Sequence, residues 1–393
     1  MARRIGVVGA GLVGLAVAHR LAARGAEVVV YDKEDRVAAH QSGHNSGVVH
    51  AGVYYAPGSL KATLCRRGVG LLREFCAAHD VPYREIGKVV VARDEVEPGR
   101  LRELYRRAQA NGVPRLRWLD PAALRELEPH VAGTAAIHSP STAIVDYPAV
   151  AEALAAEVTA AGGQVLLGRA VTAIEPAGTD RVAVYRGGDR QVVDRLVLCA
   201  GLQADRLARA AGDTAGPAIV PFRGEYHRLV RTGLVRGLVY PVPDPAYPFL
   251  GVHVTPRVDG TVDVGPNAVF APSREAYRRR DVNLADLWQA LTWPGTRRLV
   301  RRHWRTGLVE LRGSLSRRAF AAAARAYLPE LSAADLVPAP AGVRAQAVDA
   351  DGTLVDDFRI STLGPVTAVR NAPSPAATSC LAIAEYVVDR MPG

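Results

Sequence analysis

The first 32 residues have the order of a strand, a glycine-rich turn, a helix and a second strand. An apolar β-type run leads into G-x-G-x-x-G, whose glycines are Gly9, Gly11 and Gly14. A helical pattern follows, and then a strand over 27–31 that ends at Asp32. The glycines permit a tight turn, close approach of a pyrophosphate and close helix–strand packing, in that order, and Asp32 can bind a ribose diol. This spacing predicts a dinucleotide-binding βαβ unit with phosphates at the helix N-terminus.

Length and composition are those of a folded, water-soluble protein. The chain has 393 residues, 49% hydrophobic and 22% charged, which excludes disorder as its main state and suggests two or three folding units. The longest apolar stretch, residues 5–18, is too short to span a bilayer. Four scattered cysteines without C-x-x-C exclude a disulfide scaffold and make a zinc ribbon unexpected. We expect a reducing, cytoplasmic compartment and no bound metal.

The net charge of +10 comes almost entirely from arginine, because the chain has only three lysines, Lys33, Lys61 and Lys88. Its basic runs, such as residues 278–280, lack interleaved aromatic residues and nucleic-acid motifs, so no nucleic-acid partner is expected. Three interpretations of the charge stay open. It is a solvated surface, it attracts an anionic substrate, or it supports peripheral contact with an anionic membrane, such as the inner membrane face.

Two further segments indicate FAD as the dinucleotide. Residues 40–55 are rich in small, hydroxyl and imidazole side chains, which suit a loop against a large flat ring. Residues 195–201 form an apolar strand that closes on Ala200 and Gly201, a second close approach of backbone to a cofactor. FAD is longer than one βαβ unit can hold, whereas an NAD enzyme would continue with ordinary βα units. Besides the glycines and Asp32, the predicted FAD contacts are Lys33, Gln41, Ser42, His44, Asn45, Ser46, Gly47, Val171, Ala200, Gly201, Ser374, Ala376, Ala377 and Thr378.

Long polar strings then make the sequence similar to a known family. It resembles the L-2-hydroxyglutarate oxidase/dehydrogenase family, within the D-amino-acid-oxidase-like flavoproteins, over essentially the whole chain. The strings that carry the resemblance are HQSGHNSGVVHAGVYYAPGSLKA (40–62), PFRGEYHRL (221–229), YPVPDP (240–245), PFLGVHVT (248–255), VGPNAV (264–269), PAGVRAQAVDADGTLVDDF (340–358) and NAPSPAATS (371–379). The resemblance implies FAD-dependent oxidation of (S)-2-hydroxyglutarate to 2-oxoglutarate.

The resemblance also implies the fold class. This is α/β, with a Rossmann-like FAD-binding domain of the glutathione-reductase/D-amino-acid-oxidase type and an antiparallel-sheet α+β substrate domain. We expect residues 1–85, 141–215 and 336–393 in a discontinuous FAD-binding domain, and residues 86–140 and 216–335 in the substrate domain.

Local patterns predict the main elements of these segments. Helices are expected over 65–79, 100–112, 149–161 and the arginine-rich stretch 284–304. Strands are expected over 225–230, 249–255 and 262–264. The run from Pro338 to Ala341 is interpreted as a linker between the domains.

Oxidation of a 2-hydroxy acid needs a clamp for its carboxylate, and a planar guanidinium can pair with both oxygens at once. Arg344, in Gly-Val-Arg, is our first candidate, because it resembles the carboxylate-binding arginine of glycine-oxidase-like enzymes. Arg223 has two equal interpretations, which are binding a second carboxylate and holding Glu225.

The reaction also needs a base for the hydroxyl proton, and neutral histidine suits that role near pH 7. The candidates, in order, are His253, His50 and His44, and a base that is not histidine stays open. Four tyrosines are expected to line the pocket or bind the distal carboxylate: Tyr54, Tyr55, Tyr226 and Tyr240.

The last string places Pro375 at a helix start. A helix N-terminus there would stabilise negative charge on reduced flavin, although an ordinary capped helix explains the same residues.

The sequence leaves several alternatives. The same fold suits an oxidase of another small 2-hydroxy acid or amino acid in a biosynthetic pathway, and a flavin-binding module without turnover stays open. Oxygen, a quinone and a carrier flavoprotein are all compatible as electron acceptors for a small hydroxy-acid substrate. Covalent attachment of the flavin, through His40 or His44, is also open.

Overall fold

Residues 2–244 and 251–392 are described here from a computed structural model. Part of the string at 248–255, including the predicted strand start at Phe249, lies outside these residues. The described helices are α1 Leu12–Ala22, α2 Leu60–Ala78, α3 Glu97–Ala110, α4 Pro121–Leu127, α5 Tyr147–Ala160, α6 Ala204–Ala210, α7 Leu284–Thr292, α8 Pro294–Leu315, α9 Arg317–Arg325 and α10 Ala376–Val388. The described strands are β1 Arg4–Val8, β2 Glu27–Tyr31, β3 Val48–Val49, β4 Tyr83–Glu85, β5 Lys88–Ala92, β6 Arg117–Leu119, β7 Ala135–Ser139, β8 Ala143–Val145, β9 Gln164–Leu166, β10 Ala173–Pro176, β11 Val182–Arg186, β12 Asp189–Val193, β13 Arg195–Leu198, β14 Ala218–Leu229, β15 Leu238–Pro241, β16 His253–Pro256, β17 Val262–Gly265, β18 Val269–Phe270, β19 Leu336–Val348, β20 Arg359–Leu363 and β21 Val366–Asn371.

The amino-terminal βαβ unit lies at the centre of a six-stranded sheet. Its strand order is β20-β21-β13-β1-β2-β9, and all neighbours are parallel except the edge pair β20–β21. Successive side chains of β2 pack into two different hydrophobic cores, one on each face of the sheet. Val28 and Val30 pack with α1, α2, α5 and α10, whereas Val29 and Tyr31 pack under the antiparallel sheet β10-β11-β12. Both faces of the sheet are therefore covered, which explains the continuous apolar run of β2.

A second, larger sheet faces the carboxyl ends of these strands. Its order is β18-β14-β17-β16-β15-β5-β7-β6, and β19 pairs along the other edge of β14. Its neighbours are antiparallel except β15 and β5. One face packs on α9 and the residues after it, and the other face packs on α3. The two sheets together confirm the predicted α/β class, while the assignment of residues to two domains stays a prediction.

The predicted linker at Pro338–Ala341 is wrong. These residues lie inside β19, where Pro338 pairs with His227 and Gly342 with Gly224. Proline is tolerated more readily in β19 because it pairs only with β14 along this stretch, and in a strand paired on one side only every second N–H faces the partner. Residues 336–348 therefore belong to the second sheet, although the sequence suggested that the chain leaves that region there.

The arginine-rich stretch 284–304 forms two helices instead of one. α7 ends at Thr292, Trp293 is extended, and Pro294 begins α8. Proline fits the first position of a helix but cannot continue one, which explains the break. No helix among residues 2–244 and 251–392 is both long enough and apolar enough to cross a membrane.

Candidate active site

A cavity of about 1420 Å³ lies where the two sheets meet. Pockets for single small molecules usually measure about 300–1,000 Å³, so this one has room for a larger group together with a substrate. One end is lined by the turn after β1 and the end of β2, and the other end by residues of β14, β15, β16 and β19.

The glycine-rich turn has the geometry that the motif predicts. Gly9 has φ +112°, and a Cβ there would lie 2.4 Å from the Cys199 carbonyl oxygen. A Cβ on Gly14 would lie 1.9 Å from the Gly9 carbonyl oxygen, so only glycine allows this contact between helix and strand. The Ala10 N–H donates to Asp32 Oδ2 over 2.6 Å, which fixes the carboxylate beside the turn. These contacts keep backbone close to the cavity, as a pyrophosphate requires.

Most of the predicted cofactor residues line this cavity. They are Gly9, Gly11, Asp32, Lys33, Gln41, Ser42, His44, Asn45, Ser46, Val171, Ala200, Gly201, Ser374, Ala376, Ala377 and Thr378. Gly14 and Gly47 do not line it. Gly14 lies at the packing contact of α1 with β1, and Gly47 has φ +71° and accepts a hydrogen bond from the Val145 N–H. Both glycines shape the surrounding backbone, and a direct cofactor contact is not supported for either.

The segments that close the cavity come from distant parts of the chain. A Cβ on Gly201 would approach the Gln41 side-chain oxygen to 2.8 Å, so the Ala-Gly turn and the 40–55 segment are in close contact. The first turn of α10 borders the same space, and Thr378 Oγ1 accepts a hydrogen bond from the His50 N–H over 3.0 Å. The positive end of the α10 dipole is therefore available to an electron-rich ring. The shape and these close backbone approaches fit an extended dinucleotide such as FAD.

The other end of the cavity gathers the predicted substrate residues. Arg344 lies on β19, directly opposite Phe222 of β14. The residues from the predicted substrate set that line this end are Arg344, His50, His253, Tyr54, Tyr55, Tyr226 and Tyr240. A guanidinium, two imidazoles and four phenol rings therefore share one space, although they are up to 294 positions apart in the sequence.

His253 is held in one tautomer. Its ring stacks on Tyr240, with centroids 4.0 Å apart, and Nδ1 donates to the Gly251 carbonyl oxygen over 3.0 Å. A carbonyl only accepts hydrogen bonds, so Nδ1 carries the proton and Nε2 has a free lone pair. Burial, together with the charges of Arg344 and Lys88, lowers the pKa of His253 to about 3. The imidazole is therefore neutral and able to accept a proton across the physiological pH range.

His50 is the second neutral imidazole of the site. Its Nδ1 is buried and has no hydrogen-bond partner among the described residues, and Nε2 lies 3.4 Å from Ser374 Oγ. Burial holds its pKa well below the ordinary value, and nearby Lys88 and His253 act in the same direction. His253 and His50 therefore both remain candidates for the base. The third candidate, His44, stacks on Tyr277 with centroids 4.2 Å apart, nearer the dinucleotide end.

Arg223 lies outside the cavity lining in the structure. Side chains alternate along a strand, and Gly224 and Tyr226 are the residues of this part of β14 that line the cavity. Arg223 does not line it. Its guanidinium donates to Glu225 Oε1 over 3.1 Å and to the Arg278 carbonyl oxygen over 3.3 Å. Arg223 therefore holds Glu225, the second of its two predicted roles.

Sequence reasoning missed two lysines near the substrate end. Lys61 lines the cavity, and its Nζ donates to Asp356 over 2.9 Å. Lys88 is the first residue of the buried strand β5, and its Nζ lies over the rings of Tyr54 and Tyr240. A lysine at the start of an otherwise apolar strand was the only sequence signal for this position.

Comparisons with known proteins agree with this geometry. Residues 4–390 match the family described as FAD dependent oxidoreductase. The chain is 44% identical to the mitochondrial L-2-hydroxyglutarate dehydrogenase of Nematostella vectensis, covering 98% of this chain and 90% of that protein. It is 43% identical to the L-2-hydroxyglutarate dehydrogenase of Escherichia coli, covering 98% and 92%, and 41% identical to the mitochondrial protein of Homo sapiens, covering 98% and 88%.

Solved structures give the same fold at lower identity. The FAD-bound L-α-glycerophosphate oxidase of Mycoplasma pneumoniae superposes with a TM-score of 0.80 at 22% identity, covering 99% of this chain and 94% of that one. Glycine oxidase of Geobacillus kaustophilus superposes with a TM-score of 0.72 at 18% identity, covering 100% and 96%. With a family match over almost the full length and a cavity shaped for the cofactor, this chain belongs to the FAD dependent oxidoreductase family.

Proposed function

We propose that this FAD-dependent enzyme oxidises L-2-hydroxyglutarate to 2-oxoglutarate. One observation carries the proposal. The chain is 41–44% identical, over 98% of its length, to L-2-hydroxyglutarate dehydrogenases from two animals and a bacterium. The arginine, imidazole and phenol groups that meet at one end of the cavity support it, because a hydroxy dicarboxylate needs cationic and hydrogen-bonding partners.

We assign the carboxylate clamp to Arg344 and the base to His253. Arg344 would pair with the carboxylate next to the reacting carbon, which fixes the hydroxyl beside His253. Nε2 of His253 would then take the hydroxyl proton, because Nδ1 is already committed to Gly251. Bound FAD would supply the acceptor for the hydride that leaves Cα, so the hydride and the hydroxyl proton, together two electrons and two protons, leave the substrate as its carbonyl forms. The substrate end is walled by Tyr54, Tyr55 and Tyr240, whose rings limit the access of water.

The first test of the function is the visible spectrum of the purified protein without oxygen. Adding L-2-hydroxyglutarate should bleach the oxidised-flavin band, whereas the D enantiomer should leave it unchanged. A yellow protein that L-2-hydroxyglutarate does not bleach would contradict the substrate and keep the cofactor, and other 2-hydroxy and amino acids would then be tried. A flavin that none of these acids reduces would favour the module without turnover.

We also propose that the α7–α8 surface contacts an anionic membrane, and that a membrane quinone accepts the electrons. On α7, Leu284, Trp288 and Leu291 repeat with helical spacing and share one face, where Leu284 is 76% and Trp288 72% exposed. Trp304 and Leu308 continue an exposed apolar row on α8. Tryptophan and leucine at this exposure are typical of helices that lie in a membrane interface.

The charge around this apolar surface is positive. Exposed arginines of α8 flank the row, and they are Arg297, Arg298, Arg301, Arg302, Arg305 and Arg312. No residue of α7 or α8 lines the cavity. A surface that combines apolar side chains with clustered arginine complements an anionic lipid headgroup layer. This feature was not recognised in the sequence, where the same arginines gave a basic patch without an amphipathic anchor.

Vesicle sedimentation tests the membrane contact. The protein should sediment with vesicles that contain phosphatidylglycerol and less with vesicles of pure phosphatidylcholine. The double variant Leu284→Gln/Trp288→Gln should bind the vesicles at least about tenfold more weakly, because it removes two apolar side chains that membrane binding would bury. Flavin reduction by substrate should not change. Trp118→Gln, which alters an exposed tryptophan on β6, is the matched control and should bind as the wild type. Equal vesicle binding by the double variant and the wild type would contradict the proposal.

A further inference from the structure

The ammonium group of Lys88 is buried, and no described residue supplies a counter-charge to it. Its side chain is on the first residue of β5, 1% exposed, and Nζ has no hydrogen-bond partner in the described part of the chain. Nζ lies 4.7 Å from the ring centroid of Tyr54 and 4.8 Å from that of Tyr240. Two cation–π contacts replace only part of the lost hydration of an ammonium group. A buried charge in this state indicates that another negative group completes its environment.

Lys88 lies directly behind the wall of the substrate end. Tyr54 and Tyr240 line the cavity, and Tyr240 pairs with Val90, two residues after Lys88 on the same face of β5. The titratable groups that face Lys88 from the neighbouring elements are His50, Tyr54, Cys65, Tyr240 and His253.

None of these neighbours carries a negative charge at pH 7. Burial raises the pKa of Cys65 to about 12 and raises the pKa of Tyr54 and of Tyr240 above their ordinary values, so all three stay protonated. The two histidines are neutral for the reasons given above. Lys61, the other lysine of this region, differs because its Nζ is already paired with Asp356.

Resting on the proposed function, we propose that Lys88 is a positioning residue whose charge, acting through the Tyr54–Tyr240 wall, selects a dicarboxylate over a monocarboxylate. Arg344 takes one carboxylate, and the second carboxylate of the substrate supplies the negative charge that the environment of Lys88 lacks. The Tyr54 and Tyr240 rings exclude water from the space between Lys88 and the cavity. The charge of Lys88 is therefore screened far less than a surface charge and can attract a carboxylate that it does not touch. Arg223, the earlier candidate for the second carboxylate, does not line the cavity.

This role has a defined pH dependence. Burial lowers the pKa of Lys88 to about 7. The charge is therefore full below neutral pH in the ligand-free enzyme and is lost as the pH rises through that value. Both carboxylates of a dicarboxylate stay ionised over this range. Affinity for a dicarboxylate should thus fall above pH 7, while affinity for a monocarboxylate that pairs only with Arg344 should change little.

The test compares glutarate with pentanoate, which has the same carbon chain and one carboxylate fewer. Neither has the hydroxyl group, so both bind the oxidised holoenzyme without turnover, and changes in the flavin absorption band report binding. At pH 6.5, glutarate should bind the wild type on the order of tenfold to a hundredfold more tightly than pentanoate, as expected for one added charge contact. Between pH 7 and 9, the dissociation constant of glutarate should rise and that of pentanoate should stay nearly constant.

Variants then assign the effect to Lys88. Lys88→Met, which keeps the length and removes the charge, should reduce the glutarate preference at least about tenfold and abolish its pH dependence. Lys88→Arg should keep the preference and lose the pH dependence, because a guanidinium does not titrate in this range. Arg223→Met is the control and should keep both properties, since it removes a buried charge that contacts Glu225 and does not line the cavity.

Each result decides one point. Equal affinity of the wild type for glutarate and pentanoate, or a preference that does not change from pH 7 to 9, overturns the inference without any variant. A Lys88→Met protein that loses affinity for both ligands equally keeps the glutarate preference without the charge, which also overturns the inference. An enzyme that prefers glutarate but is not reduced by L-2-hydroxyglutarate contradicts the proposed function alone, and an enzyme that is reduced but shows no preference contradicts Lys88 alone.

Discussion

Replacing Arg344 with methionine should lower kcat/KM for L-2-hydroxyglutarate by about a hundredfold to a thousandfold, mostly through a higher KM. Removing one partner of a desolvated charge pair usually costs about 2–5 kcal/mol, or about thirtyfold to several thousandfold, and the expected range lies in the middle of this interval. Arg344 lies in β19 on the cavity side, beside Tyr226 and near Tyr240 and His253. Its rigid fork can hold both oxygens of one carboxylate, which a point charge does less well. Steady-state kinetics with the flavin content of each preparation measures the effect.

Two further variants make this result specific. Arg344→Lys keeps the charge and should lie between the wild type and Arg344→Met. Arg223→Met removes an arginine of the paired strand whose side chain contacts Glu225 and does not line the cavity. It should leave the KM near that of the wild type, although it should lower the melting temperature. A similar rise of KM in Arg223→Met and Arg344→Met would contradict the assignment of the clamp.

Replacing His253 with asparagine should lower kcat by about 10²–10⁴-fold, which is the usual contribution of a positioned base. Asparagine can still donate a hydrogen bond to the Gly251 carbonyl oxygen, so the strand geometry should survive. It cannot accept the hydroxyl proton. Rapid-mixing measurements of anaerobic flavin reduction isolate this step from the later oxidation of the flavin.

The histidine controls separate a base from a structural residue. His227 lies on β14, its ring centroid is 4.4 Å from that of Phe320, and it does not line the cavity. His227→Asn should therefore reduce the flavin at nearly the rate of the wild type. His50→Asn tests the other candidate. If His50→Asn loses flavin reduction and His253→Asn keeps it, the base is His50.

The pH profile gives an independent check of His253. A base is active above its pKa and inactive below it, and burial lowers the pKa of His253 to about 3. The wild-type kcat/KM should therefore be level from about pH 5 to pH 7, with no loss of activity near the ordinary pKa of histidine. The fall above pH 7 belongs to Lys88, and Lys88→Met should remove that fall while its kcat/KM stays below that of the wild type.

Local sequence determined the part of the protein that binds the dinucleotide. The strand predicted over 27–31 is β2, and the helix predicted over 149–161 is α5 with a boundary shift of one or two residues. Gly9 and Asp32 lie within one continuous unit, so their geometry follows from short-range turn and packing rules. The long polar strings placed the remaining cavity residues by resemblance, including Arg344.

Tertiary structure decided which side of each strand meets the cavity. Arg223 and Tyr226 are three residues apart on β14, and only Tyr226 lines the cavity, because side chains alternate along a strand. The register of β14 with β19 is set by pairing between segments more than 100 residues apart, and that pairing also made Pro338–Ala341 a strand.

The roles of Lys88 and of the α7–α8 surface could not be predicted from the sequence either. A lysine before Val-Val-Val and an arginine-rich helix are ordinary local patterns. Whether their side chains are buried or exposed depends on which other segments pack against them. Tyr54, Tyr240 and the two histidines reach Lys88 from three other segments, whereas nothing in the described chain covers Leu284 and Trp288. The nucleotide-binding turn could be predicted from the amino-acid order, because it depends on neighbours in the chain. Which charges are buried and which apolar faces are exposed could not, because burial depends on contacts between distant segments.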